Sequence, residues 1–161
     1  MTETTHRENL LIDSISEAVR TAGSATAGLT RVVQLLGEAN PTWHWVGFYY
    51  LIDDATLKLG PYIGHPTDHT IIKVGDGVCG TAVAEQKNQL IDDVSTLDNY
   101  IACSIGTKSE IVVLIHHQGR IVGQFDLDSD DAAAFTADDE KFLERASVVV
   151  APMVARLKDE Q

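Results

Sequence analysis

Glu110-Ile-Val-Val-Leu-Ile-His116 and Arg120-Ile-Val-Gly-Gln-Phe-Asp-Leu-Asp128 are two apolar, β-branched runs joined through His117-Gln-Gly119. They predict a β-hairpin. The unbroken apolar stretches Ile111–Ile115 and Ile121-Val122 make both strands read as central ones. Asp126 and Asp128 stand two residues apart, so both side chains leave on one face while Phe125 and Leu127 take the other. Where Glu110 points depends on the turn. A three-residue loop pairs His116 with Arg120 and sets Glu110 opposite Asp126, on the same face. A two-residue turn at Gln118-Gly119 shifts the register and sends Glu110 to the other side. In the first case three carboxylates share one pocket, which is costly inside a sheet unless a cation or a shared proton offsets the charge. A ligand ammonium would do so.

Outward from the hairpin, the period alternates between sheet and helix. Leu11, Ile15, Val19 and Ala22 predict a helix near 8–22; Leu29, Val32, Val33, Leu35 and Leu36 predict a second, ending near Gly37. His44–Ile52 and Thr56–Gly60 read as a hairpin around Asp53-Asp54, Thr70–Val74 as a short strand, and Gln89–Asp92 as another. Asp93–Lys108 holds few regular signals and is long for a connection, which marks a functional loop. Thr136-Ala-Asp-Asp139 resembles a capping box, and a last helix, about 137–158, carries the stripe Phe142, Ala146, Val149, Val150, Met153, Leu157. Pro152 should kink it or remove one backbone bond. The expected fold class is α+β: a mainly antiparallel sheet, in a site region of about 43–130, between N-terminal helices (about 8–37) and a C-terminal helix, all in one domain over 1–161.

Composition narrows the function. A chain of 161 residues, 44% apolar and 22% charged, can bury a full core without disulfides or a structural metal. Twenty-four acidic against twelve basic side chains give a net charge of −12, a field that repels phosphate backbones and anionic membranes. Neither nucleic acid nor membrane is an expected partner. The longest apolar run, Val148–Val154, is too short to span a bilayer, and Met1–Asn9 holds no signal-peptide core, so the expected location is cytoplasmic.

The two cysteines, Cys79 and Cys103, come with neither a CxxC nor an HExxH pattern, and His65 with His69 lacks a third ligand. No metal site is expected. Gly75-Asp-Gly-Val-Cys-Gly80 fits the dinucleotide-binding G-x-G-x-x-G, but the helix after it (near Thr81–Asn88) is short, Asp92 and Asp93 arrive early, and the flanking strands read as hairpins. No bound cofactor is expected. The glycines then serve as positive-φ corners, and Cys79 sits at a helix start, where backbone amides favour a thiolate.

Six segments together resemble the GAF-domain free methionine-(R)-sulfoxide reductases: Trp45-Val-Gly-Phe-Tyr49, Leu59-Gly-Pro61, Gly77-Val-Cys-Gly-Thr-Ala82, Tyr100-Ile-Ala-Cys103, Ser109-Glu-Ile-Val112 and Phe125-Asp-Leu-Asp-Ser129. The resemblance implies a GAF fold and reduction of free L-methionine (R)-sulfoxide to methionine. Cys103 matches the catalytic cysteine, and Glu110, Asp126 and Asp128 the substrate-site carboxylates. Trp45 and Tyr49 match its aromatic wall. Within that frame Glu110 and Asp128 are the candidate acids, Asp126 the candidate partner of the substrate ammonium, and Cys103 the thiolate that becomes a sulfenic acid. Better-known members carry a third, resolving cysteine ten residues before the match to Cys79; here that position is His69. Cys79 is then the candidate resolving residue, with thioredoxin (fed by NADPH) or another thiol as external reductant. A homodimer through the N-terminal helices is also implied. The alternative from another class is a non-catalytic GAF module that senses a small molecule. Trp45 and Tyr49, sharing one strand face, also fit a plain core role.

Overall fold

The computed structural model describes residues 2–98, 100 and 106–160. In chain order the elements are α1 (Glu3–Thr21), α2 (Ala25–Ala39), β1 (Trp45–Asp53), β2 (Thr56–Ile63), β3 (Ile71–Lys73), α3 (Gly77–Glu85), β4 (Gln89–Ile91), β5 (Ser109–His117), β6 (Arg120–Ser129) and α4 (Ala137–Arg156). The strands form one antiparallel sheet ordered β3-β2-β1-β6-β5-β4, so both strands of the Glu110–Asp128 hairpin are interior ones. The α+β expectation holds. Among the described residues, no helix is long and apolar enough to cross a membrane.

Element boundaries shift for physical reasons. α1 begins at Glu3 because Thr2 caps it, its hydroxyl accepting from the Thr5 amide; the polar first turns carry no apolar stripe to reveal them. α2 runs through Gly37 to Ala39: a side chain there would strike Ile63 Cδ1, so this glycine permits close packing of α2 on β2 and is not a stop. β2 continues past Gly60 because Pro61 lies at a register irregularity against β1, where a strand tolerates a missing amide. α3 begins at Gly77, not at Thr81. α4 keeps its capping box and continues through Pro152 to Arg156, the proline costing it one backbone bond.

Alternation along the strands builds two cores. Val46, Phe48, Ile111, Val113, Phe125 and Leu127 face α1, α2 and α4, with Phe48 and Phe125 rings 4.8 Å apart. The opposite face carries Trp45, Tyr49, Val112 and Leu114 and is covered by α3 through Val78, Cys79 and Ala82. That second face holds the acids.

The hairpin reaches its register by a route the sequence reading did not contain. His117 pairs with Arg120, so the turn is the two-residue one at Gln118 and Gly119, both at positive φ (53° and 77°), as a type I′ turn needs. That register alone would turn Glu110 to the helix side. Between Ile115 and His116, however, the pairing jumps from Gly123 to Ile121, leaving Val122 as a bulge. The extra residue restores the parity. Glu110 lies opposite Asp128, not Asp126, yet on the same face as both.

Candidate active site

Two rows of side chains form the acidic floor. Glu110 on β5, Asp128 on β6 and Trp45 on β1 are cross-strand neighbours; Val112, Asp126 and Gly47 form the next row. Glu110 and Asp128 are 2% exposed and Asp126 is fully buried. Burial first, then the charges of Asp126 and Asp128, push the Glu110 carboxyl well above the usual carboxylate range. Glu110 therefore holds a proton where an exposed glutamate would not. Its Oε1 has no hydrogen-bond partner among the described residues.

The aromatic wall depends on a missing side chain. A Cβ at Gly47 would sit 2.6 Å from Trp45 Cη2, so glycine lets the indole lie across β1. The indole stacks on Tyr62 (5.1 Å, 18°) and, more loosely, beside Tyr49 (6.4 Å, 25°). Both polar tips are engaged: Trp45 Nε1–H donates to the His65 carbonyl (3.1 Å) and Tyr49 O–H to the His69 carbonyl (2.7 Å). Trp45 and Tyr49 thus belong to the second core and tether the β2–β3 connection over the site. His65 and His69 contribute there through their backbone.

α3 supplies a thiol that the sequence treated apart from the acids. Cys79, 4% exposed, brings its Sγ and one carboxylate oxygen each of Glu110 and Asp126 within 4.8 Å of one another. Gln124, fully buried next to Asp126 on the same face, donates from Nε2 to the Cys79 carbonyl at 3.3 Å. Sequence reasoning missed Gln124. Its parity with Asp126 and Asp128 on a central strand was the available signal.

Cys103 lies outside the described residues, as do its immediate neighbours. The described parts of the Asp93–Lys108 connection meet the acidic face: Leu97 and Tyr100 pack against the second core, Val94–Thr96 forms a single 3-10 turn, and the Val94 amide donates to Lys108 O.

The GAF-domain family pattern matches residues 23–155. The chain is 43% identical over 120 residues, 74% of its length, to the free methionine-R-sulfoxide reductase of Escherichia coli strain K12, of which it covers 72%. It belongs to the GAF-domain free methionine-R-sulfoxide reductase family. Within that family it is also similar to the solved type II free methionine-R-sulfoxide reductase of Thermoplasma acidophilum (41% identity, TM-score 0.78, covering 81% of this chain and 92% of that one). The reductase of Neisseria meningitidis, solved in complex with its substrate, overlays with a TM-score of 0.87 at 30% identity, covering 98% and 95%.

Proposed function

We propose that this protein reduces free L-methionine (R)-sulfoxide to L-methionine. The observation that carries the reading is the buried trio of Glu110, Asp126 and Asp128 beside an aromatic wall, in a chain 43% identical to a reductase of that name. A free zwitterion brings its own ammonium to such a trio, whereas a peptide-bound sulfoxide has none.

The chemistry follows from the residue types. Cys103 as thiolate attacks the sulfoxide sulfur. Glu110, which keeps its proton through burial and its acidic neighbours, donates to the oxygen as the S–O bond weakens. Asp128 shares the acid role, Asp126 holds the substrate ammonium, and Trp45 and Tyr49 pack against the methyl side. Methionine leaves with the lone pair restored on sulfur, and the oxygen remains on Cys103 as a sulfenic acid. Cys79 then attacks Cys103, expelling water and forming a disulfide, which thioredoxin or another dithiol opens with two electrons and two protons. This cycle fits one domain over 1–161, a cytoplasmic reductant and no bound cofactor; a homodimer is part of the same reading.

An NADPH-coupled assay with the separate sulfoxide epimers, run with thioredoxin and with dithiothreitol, tests it. Turnover of the free (R) epimer alone is expected. Tight binding of methionine sulfoxide without turnover by either reductant would instead mark a sensing module.

A further inference from the structure

We propose that Cys79, Glu110 and Asp126 form a site for a thiophilic divalent cation, zinc above all. The three donors come from α3, β5 and β6, and none is more than 4% exposed. Their ligand atoms lie within 4.8 Å of one another. A tetrahedral zinc, about 2.3 Å from sulfur and about 2.0–2.2 Å from oxygen, sets its ligands roughly 3.5 Å apart, so small side-chain rotations close the set. A second observation points at the same place: Glu110 Oε1 is buried with no hydrogen-bond partner among the described residues. Once the carboxyl proton is lost, that oxygen is a buried acceptor open to a cation.

The donor set selects the metal. One thiolate with two carboxylates suits zinc or cobalt(II), while magnesium and calcium favour oxygen alone. The fourth position is left to water. Asp128, the cross-strand neighbour of Glu110, flanks the set, and Gln124 fixes the backbone of Cys79. Binding releases the Cys79 thiol proton and the Glu110 carboxyl proton to solvent; no electron moves. The ion takes the place of those two protons, so the net charge of the buried cluster is unchanged while each donor gains a coordinate bond. Since Asp126 is the proposed ammonium partner and Cys79 the proposed resolving thiol, a bound ion blocks substrate and withdraws Cys79 from disulfide formation.

Cobalt(II) is the probe, added to the reduced full-length chain without oxygen. Sulfur-to-cobalt charge-transfer absorption is expected in the wild type and in Cys103→Ser, and is expected to vanish in Cys79→Ser. Zinc affinity, read by competition with a coloured chelator, should fall about tenfold or more in Glu110→Gln and Asp126→Asn. X-ray absorption at the zinc edge of the unmodified chain guards against misfolded variants: one sulfur at about 2.3 Å and two or three oxygens at about 2.0 Å are expected. A cobalt band that survives in Cys79→Ser, no band in the wild type, or a zinc shell of two sulfurs or none overturns the site. None of these readings uses turnover, so a chain inactive on methionine sulfoxide that still shows the band would break the proposed function and leave the metal site standing.

Discussion

The two faces of the central strands are equally dry and chemically opposite. On the helix side Phe48, Ile111, Phe125 and Leu127 are fully buried; on the α3 side Gln124 and Asp126 are fully buried too, with Glu110 and Asp128 at 2%. Neighbouring residues of a single strand therefore do different jobs. The helix side stabilises by removing apolar surface from water, about 1.5–3 kcal/mol for each large side chain. The acidic side opposes folding, because each carboxyl loses its hydration and sits beside like charge. Apolar burial stabilises both faces, while the buried acids and the chemistry lie on one.

The sharpest break between the faces should come from Cys103→Ser. An alcohol is a poor nucleophile at sulfur, so turnover of the free (R) sulfoxide should fall by about a thousandfold or more. Retained turnover would remove Cys103 from the mechanism. On the helix side, Phe48→Ala should destabilise by about 3–5 kcal/mol through a cavity against Phe125, while activity per folded molecule survives. Urea unfolding combined with activity corrected for folded fraction reads this directly; a specific-activity loss as large as that of Cys103→Ser would erase the division.

Glu110→Gln should do the reverse of a core mutation. Wild-type Glu110 keeps its proton in the folded state above the usual 4.5, while the unfolded chain releases it. The native state then binds more protons, and stability falls as pH rises from about 4.5 toward the raised native value. Glutamine removes that loss, so the variant should be the more stable protein at pH 8, by up to about 1.4 kcal/mol for each pH unit traversed, and should nearly match wild type at pH 4. It should also be close to inactive. Equal stabilities of the two proteins at pH 8, measured by denaturation, would mean that the fold does not raise the Glu110 carboxyl above its ordinary range. The smallest effect is expected far from either face: Thr136→Ala, which removes half of the α4 capping box, should cost about 1 kcal/mol and leave KM unchanged.

Strand parity made much of this legible. Asp126 and Asp128 two apart, with Phe125 and Leu127 between them, already assign faces, and Thr136-Ala-Asp-Asp139 already marks the start of α4. Long-range coincidence was not legible. Nothing near Gly77-Val-Cys-Gly80 says that α3 crosses beneath β5 and β6 to set Cys79 beside Glu110 and Asp126. Nor does the proximity of Gly37 to Ile63 show in the local sequence, where a glycine near a proline reads as a helix end. Glu110 was legible only conditionally, since its face depends on a count of residues in the hairpin that periodicity does not give.

That count has a consequence for how this chain can change length. With a two-residue turn, the acidic partners stay together only because Val122 is an extra residue in β6. Deleting Val122, or inserting one residue in the turn while keeping the bulge, would slide β5 against β6 by one. Glu110 would go into the aliphatic core and Ile111 into the pocket. Lineages descending from this sequence can therefore lengthen or shorten the hairpin only by paired events, one compensating the other. A lone codon gained or lost between Ile115 and Gln124 exchanges the two faces of β5 against β6, a change of another order from replacing a residue in place.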